Sequence, residues 1–317
     1  MLDNHTSQTV SIIVPFLNEE HNLPILYQRC IDVFEHLDES LEFIFIDDGS
    51  TDNSLNWVKN TAQEDSSVKF IQFSRNFGHQ RAITAGLKYC SGDAAVIIDA
   101  DLQDPPEVIT SLISKWKEGY EVIHAVRGDR KGESYIKKMM AHLFYRIMSK
   151  ITEIEMTVDS GDFRLIDRKA IDGLNNMPEQ HRYMRGLASW IGFRQISIKY
   201  TREARHAGIT KYPITKSITL ALNAITSFSG TPLRLIFYLG NLLCILSIGI
   251  ALYVFIIWNF IEGNSPSHAG TTYLTLAIFF VSGLQMLCMG ILSQYIRRVF
   301  DEIKNRPLYL IQETNIK

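Results

Sequence analysis

The chain is poor in the residues that mark extracellular or metal-stapled proteins. Its four cysteines, Cys30, Cys90, Cys244 and Cys288, are scattered, and none is paired at metal-site spacing. That excludes a disulfide scaffold and fits free thiols in a reducing compartment. No sign of charge predominates: 32 Lys and Arg stand against 34 Asp and Glu, a net charge of −2. A nucleic-acid binder acting through bulk positive charge is therefore excluded. No Gly-x-Gly-x-x-Gly follows the first apolar run and there is no Walker lysine loop, so a dinucleotide oxidoreductase and a P-loop enzyme are not expected. The opening MLDNHTSQTV lacks the basic and apolar regions of a signal peptide. Internal repeats and low-complexity linkers are missing too.

Charge itself is missing from two long stretches near the C-terminal end. Residues 235–261 and 263–296 contain no Asp, Glu, Lys or Arg. A helix needs roughly 20 residues to cross a hydrocarbon core of about 30 Å, so the sequence predicts two spans, at about 235–261 and 272–296. Gly240, Gly249, Gly283 and Gly290 suit close helix packing in lipid. The loop EGNSPSHAG between the spans has no Lys or Arg, whereas the outer flanks carry Lys211, Lys216, Arg234, Arg297, Arg298, Lys304 and Arg306. The positive-inside rule then puts both flanks, and both termini, in the cytoplasm. The mean hydropathy of +0.00 is an average over two unlike parts. The expected organisation is a cytoplasmic domain over 1–230 and a two-helix anchor with a short cytoplasmic tail over 231–317.

The first half of the chain alternates short apolar runs with helical stretches. VSIIVPF, LEFIFID, VKFIQFS, AAVIID and EVIHAV read as five strands. Helices are expected from about Glu20 to Leu37, from Ser50–Asp52 to Ala62, from His79 to Tyr89, and from Pro105-Pro106 to Lys117. Repeated βα units imply an α/β fold with a mostly parallel sheet wound by helices. On such sheets, ligands bind at the carboxyl ends of the strands. Those ends read Pro15-Phe16-Leu17-Asn18-Glu19-Glu20, Asp47-Asp48-Gly49-Ser50, Ser74-Arg75-Asn76 and Asp99-Ala100-Asp101-Leu102-Gln103. Two carboxylates one residue apart at a strand end can share a hard cation such as Mg²⁺ or Mn²⁺ and leave room for substrate phosphates.

With these residues in view, VPFLNEE, IDDGSTDNS, SRNFGHQRAITAGL and IDADLQDPPE resemble glycosyltransferase family 2. The resemblance continues through SGDFRLIDR, MRGLASWIGFRQ, REARHAGITKY and RPLYL, and so spans nearly the whole chain. It is nearest the polyprenyl-phosphate branch, which holds the bactoprenol glucosyltransferases and, more distantly, dolichyl-phosphate mannose synthase. The resemblance implies a GT-A nucleotide-sugar-binding domain that transfers a sugar, glucose from UDP-glucose first among the candidates, onto undecaprenyl or another polyprenyl phosphate. It implies inversion at the sugar, a lipid-linked product for cell-envelope glycan modification, and a place in the inner membrane.

The resemblance also distributes roles. Asp101 is the metal ligand for Mg²⁺ or Mn²⁺, supported by Asp99, with Gln103 close to the phosphates or sugar. Pro15, Leu17 and Glu19 line the nucleoside pocket, Asp48 accepts a base N–H, and Asp47 supports the turn. Arg205 and Lys211, six residues apart around Gly208, cover the phosphates, and Arg127 is a further phosphate position. Asp162 in SGDFR faces the reacting centre. A phosphate monoester with a second pKa of about 6 is largely dianionic at neutral pH, so Asp162 is read as orienting the acceptor or taking a residual proton. The plainer reading makes Asp162 a turn residue bonded to Arg164.

An acceptor dissolved in lipid requires a site at the bilayer surface. Residues 137–151 place Met140, Leu143, Phe144, Ile147, Met148 and Ile151 at helical spacing amid basic residues, an interfacial amphipathic pattern, and residues 214–228 are a second candidate. The expected partners are a UDP-sugar, polyprenyl phosphate, the bilayer and further copies of the chain in a homo-oligomer, a tetramer as in relatives; nucleic acid is not among them. Three other readings stand beside this one. A processive polysaccharide synthase is disfavoured because Gln180-His181-Arg182-Tyr183 lacks the Gln-x-x-Arg-Trp spacing. A different donor, such as UDP-GlcNAc, UDP-galactose, a UDP-aminoarabinose derivative or GDP-mannose, would use the same site. A non-catalytic nucleotide-sugar scaffold would not need Asp99, Asp101, Arg205 and Lys211 together.

Overall fold

The computed structural model describes residues 7–128, 160–201 and 269–316, with isolated positions between 233 and 249. The chain divides into two compact units, Met1–Ala221 with Arg306–Lys317, and Leu222–Asn305.

The first unit is built on one sheet. In chain order its elements are β1 (Thr9–Phe16), α1 (Leu23–Phe34), β2 (Ser40–Asp47), α2 (Ser54–Glu64), β3 (Val68–Phe73), α3 (His79–Tyr89), β4 (Ala94–Ile97), α4 (Val108–Lys117), β5 (Val122–Arg127), β6 (Ser160–Asp167), α5 (Arg168–Asn175), α6 (Met184–Trp190) and β7 (Gln195–Tyr200). The described strands run in the order β7-β5-β6-β4-β1-β2-β3-β8, where β8 (Ile311–Thr314) comes from the C-terminal end. Pairings β4–β1, β1–β2, β2–β3 and β5–β7 are parallel; β6 runs antiparallel to both neighbours, and β8 runs antiparallel to β3. The mostly parallel α/β sheet expected from the sequence is present.

The local causes are ordinary. β1 and β2 are apolar on both faces because helices cover both faces of a parallel sheet, and Val10, Ile12, Ile13 and Val14 are fully buried. α1 turns Leu23, Leu26, Cys30, Val33 and Phe34 inward at helical spacing. Phe43 and Phe45 stack in the core, with Trp57 of α2 edge-on to Phe45. α3 lies close on the sheet because Gly86 has no side chain: a Cβ there would overlap Ile13 Cγ2 and stand 3.0 Å from Ile46 Cδ1.

Two strands beyond the expected five matter for the site. β6 inserts antiparallel between β4 and β5, so its first residues lie at the carboxyl end of the parallel strands. β8 closes the far edge. Lys59 pairs with Glu313 at 2.7 Å, and Asn315 Oδ1 accepts Phe70 N–H at 2.7 Å. Tyr309 stacks on Phe73, with ring centroids 4.9 Å apart. The sequence assigned this segment to a cytoplasmic tail; it is part of the sheet.

The second unit contains α7 (Ala269–Lys304), 36 residues and about 54 Å long. Within it Ala277–Lys304 is long and apolar enough to cross a membrane by length and composition. Leu274, Phe279, Phe280, Met286 and Met289 are all more than half exposed. The expected span 272–296 falls inside α7. Among the described residues α7 alone meets that test, and the expected span 235–261 lies largely outside them. The candidate interfacial helices 137–151 and 214–228 lie outside the described residues entirely.

Candidate active site

Parallel strands that start level end level. Phe16 of β1 is in register with Asp47 of β2, and Ile13 with Ile97 of β4. The loops after β1, β2, β3 and β4 therefore leave from one rim. Ile97 pairs with Arg164 in the antiparallel β4–β6 ladder, and that register puts Asp162 opposite position 99. Two segments more than 60 residues apart in sequence thus bring their carboxylates together.

The first two loops hold each other. Asn18 N–H donates to Ser50 Oγ at 3.0 Å, and Thr51 N–H returns a bond to Asn18 Oδ1 at 2.7 Å. Glu19 N–H donates to Ser54 Oγ, and Asn53 N–H donates to Glu20 Oε2. Glu19 also accepts from Asn22 Nδ2 at 2.7 Å. Pro15 is buried at the end of β1, whereas Leu17 and Glu19 are half-buried on the rim. Asp47 is buried and accepts Ser50 N–H at 2.8 Å, the turn support expected of it. Gly49 has φ +84°, and a Cβ there would stand 2.9 Å from Asn76 N, so the turn needs glycine on both counts.

Asp48 is also buried. Its carboxylate accepts Phe77 N–H at 2.6 Å and Gly78 N–H at 3.0 and 3.1 Å, which fixes the loop after β3. Burial raises its pKa, and the bonds from Phe77 and Gly78 oppose the rise. The same loop is braced from behind, where Phe73 packs edge-on to Phe77 and Ser74 N–H donates to Leu310 O at 3.0 Å.

The Asp-x-Asp segment follows β4. Leu102 is buried with φ +57°, a strained conformation for a residue with a branched side chain. That turn folds Gln103 back so that its N–H and Nε2 both donate to Asp101, at 3.2 and 3.0 Å. Gln103 is thus a partner of Asp101. Asp99 lies deeper. Its Oδ1 is buried without an aligned hydrogen bond and stands 3.3 Å from His79 Nε2. Burial raises the Asp99 pKa to about 6; His79 works against the rise, and Asp162, Asp104 and Asp101 add to it.

His79 Nε2 also stands 3.4 Å from Asp162 Oδ2. Burial disfavours the imidazolium, yet the Asp99 and Asp162 carboxylates outweigh it and lift the pKa to about 9. Asp162, nearly fully buried, is gripped from the other side by Arg185 of α6: Nε to Oδ1 at 2.9 Å and Nη2 to Oδ2 at 3.0 Å. Burial pushes the Asp162 pKa up, but Arg185 and His79 hold it well below the usual carboxylate range. Asp162 sits on a strand, not in a turn. Arg164 donates mainly to the Gly161 carbonyl at 2.7 Å, with its Nη2 3.9 Å from Asp162 Oδ1.

The sequence reading omitted His79, Gln80 and Arg185. Gln80 Nε2 reaches Asp162 Oδ2 at 3.5 Å while its Oε1 accepts Met184 N–H at 2.9 Å, tying α3 to α6. Arg127 closes β5. Arg205 and Lys211 lie outside the described residues.

The donor set suits a divalent cation. Asp99 and Asp101 offer hard carboxylate oxygens, one of them buried without a hydrogen bond. Among the described residues no group of three or more His, Cys, Asp or Glu could hold a metal ion, so the candidate ligands are the Asp99 and Asp101 pair alone.

A family model described as Glycosyl transferase family 2 matches residues 11–174. A glycosyltransferase of Bacillus subtilis (strain 168), YkcC, is 45% identical over 96% of this chain and 93% of its own length. Bactoprenol glucosyl transferase of Shigella phage SfII is 37% identical over 96% of this chain and 98% of its own. The homologue from Escherichia coli (strain K12), described as a prophage bactoprenol glucosyl transferase homolog, is also 37% identical, over 96% and 98%. Among solved structures, glucosyl-3-phosphoglycerate synthase from Mycobacterium tuberculosis, in complex with Mn²⁺, UDP and phosphoglyceric acid, is similar at 19% identity. It covers 69% of this chain and 76% of its own, with a TM-score of 0.47.

Proposed function

The chain belongs to glycosyltransferase family 2, and from that premise we propose that it transfers glucose, with inversion, from UDP-glucose to a polyprenyl phosphate at the cytoplasmic face of the membrane. The observation that carries the proposal is similarity over nearly the full length to bactoprenol glucosyl transferases, at 37% identity. The long exposed apolar helix α7 supports association with a membrane and, with it, a lipid acceptor; a two-helix anchor with the catalytic domain in the cytoplasm is part of the proposal.

The chemistry follows from the charges. A phosphate oxygen of the acceptor attacks the sugar's anomeric carbon, the bond from that carbon to the diphosphate breaks, and UDP departs with the electron pair. Asp101, backed by Asp99, would hold Mg²⁺ or Mn²⁺, which neutralises the charge growing on the departing diphosphate. Gln103 fixes the Asp101 carboxylate. Pro15, Leu17 and Glu19 line the nucleoside pocket, and Asp48 sets the Phe77–Gly78 loop beside it while offering a remaining lone pair to a base N–H. Arg127, Arg205 and Lys211 supply cations for two phosphate groups that must approach each other. Asp162 is not required as a base, because the acceptor monoester is already largely dianionic at neutral pH. A carboxylate held ionised by Arg185 and His79 is also a poor proton acceptor. Its part is to orient the groups around it. A homo-oligomer is the expected assembly in the membrane.

The donor is tested with a panel. Purified full-length protein with polyprenyl phosphate and Mg²⁺ is given radiolabelled UDP-glucose, UDP-galactose, UDP-GlcNAc or GDP-mannose. Label moving into lipid from UDP-glucose at least about tenfold faster than from the others is the expected result, a margin of about 1.4 kcal/mol in discrimination. Preference for another sugar replaces glucose, and binding of a donor without turnover supports the scaffold reading.

A further inference from the structure

Arg185 has one edge of its guanidinium committed and the other not, and unlike the fully buried Arg164 its side chain reaches solvent. Nε and Nη2 form a two-bond fork with Asp162, at 2.9 and 3.0 Å. Nη1 has no protein partner among the described residues, and the side chain is 32% exposed. The backbone beneath it is fixed, since Met184 N–H is held by Gln80 Oε1. Asp162 in turn contacts His79, and His79 contacts Asp99. The open edge therefore belongs to the same cluster as the carboxylates at the rim.

A purely structural explanation is weak on physical grounds. A buried ion pair seldom stabilises a fold more than well-packed apolar groups would, because removing two charges from water costs several kcal/mol per ion. An arginine held on one edge is, however, preorganised on the other. Its planar fork keeps a fixed direction, it stays charged at every working pH, and it matches phosphate oxygens. With His79, the residue adds positive charge to a rim that carries Asp99, Asp101 and Asp162.

We propose that Arg185 is a phosphate-binding residue: its Nη1 edge contacts a substrate phosphate oxygen while Asp162 holds the other edge. This deepens the proposed glycosyl transfer and rests on it for the identity of the substrate. The ligand chemistry is a phosphate or diphosphate oxyanion, supplied either by the nucleotide donor or by the lipid acceptor. Asp162 is then a positioning residue that aims Arg185.

The test uses the full-length protein in detergent and three probes: inorganic pyrophosphate and UDP, each by calorimetry, and polyprenyl phosphate by its KM at saturating donor. Arg185→Gln is expected to weaken pyrophosphate binding by about tenfold to about a hundredfold, the scale of one or two charge-assisted hydrogen bonds. Arg185→Lys, which keeps the charge and covers the case of a Gln variant that fails to fold, should recover part of the loss. A loss confined to UDP assigns the donor diphosphate, and a loss confined to the lipid KM assigns the acceptor phosphate. Asp162→Asn separates contact from scaffolding. If Asp162 aims Arg185, this variant weakens pyrophosphate binding less than Arg185→Gln does, because the guanidinium charge stays while its direction loosens; a merely structural pair instead lowers the melting midpoint in both variants and leaves pyrophosphate binding within about twofold of wild type. Wild-type protein that binds neither pyrophosphate nor UDP, or folded Arg185 variants whose pyrophosphate binding, UDP binding and lipid KM all stay within about twofold of wild type, overturns the proposal. If wild type transfers no sugar but binds pyrophosphate through Arg185, the proposed function fails while the phosphate site stands.

Discussion

At the scale of single residues, the site is a set of charges that determine one another's protonation. Asp99 is raised by burial, Asp162 is held low by Arg185 and His79, and His79 is charged because it touches both. Asp101 is the group with most to lose. Asp101→Asn leaves the bonds from Gln103 one acceptor oxygen and removes the charge a cation needs. Its kcat should fall by about 10² to 10³-fold, and chelation of the metal should do the same to wild type. Activity in EDTA equal to that in Mg²⁺ would contradict a metal role for the pair. A different residue controls stability against acid. His124 on β5 is buried, and its Nε2–H donates to Gln195 Oε1 at 3.0 Å, because Gln195 Nε2 is already donating to Ala188 O. Burial and nearby Arg164 depress its pKa from 6.5 to about 4. Between those values the unfolded chain binds more protons than the folded one, so stability falls as the pH drops through that window. Chemical denaturation at pH 7 and pH 5 should show wild type losing on the order of 1–2 kcal/mol more than His124→Gln. Parallel losses in the two proteins would remove His124 as the cause.

At the scale of elements, the parallel half of the fold was legible because its strands are buried on both faces. Runs such as VSIIVPF and LEFIFID carry little polar signal to confuse, and α3 was read at its observed bounds, His79–Tyr89. The helix starts were less legible: the turns after Asn18 and Asp52 take up residues that propensity alone would give to α1 and α2. β6 escaped notice because SGDFRLID begins with turn-like residues, and its antiparallel partners β4 and β5 lie far off in sequence or across a long insertion. Missing β6 meant missing why Asp162 faces Asp99, and with it the parts played by His79 and Arg185. A lone His or Arg in a sequence looks like a solvated surface residue until a register brings it to a carboxylate. β8 was missed for the same reason, since IQET is short and polar on an edge, yet Thr314 Oγ1 and both side-chain polar atoms of Asn315 bond to the β3 backbone. Ending the chain after Asn305 removes β8, the Tyr309 stack on Phe73 and the Leu310 bond to Ser74. The melting midpoint should drop by roughly 5 °C or more, and UDP should bind more weakly, because the loop held by Asp48 loses its backing. A truncated chain with unchanged melting and UDP affinity would show that the strand is dispensable.

At the scale of the whole molecule, near-neutral charge and zero mean hydropathy conceal a division of labour. One unit gathers carboxylates and cations at a sheet rim, the proposed site for a nucleotide sugar. The other contains a helix of about 54 Å whose apolar surface is exposed, as a lipid-facing element requires. The proposed glycosyl transfer to a lipid phosphate would give both parts a reason to share one chain. The most direct test incubates the purified full-length protein with radiolabelled UDP-glucose and Mg²⁺, with and without polyprenyl phosphate, and follows label into the organic phase. The predicted result is a lipid-soluble product with the mass of polyprenyl phosphate plus one hexose, formed only when the lipid is present and lost in Asp101→Asn. The contradicting result is no lipid-linked product with any nucleotide sugar, or label transferred equally well to a water-soluble acceptor in the absence of lipid.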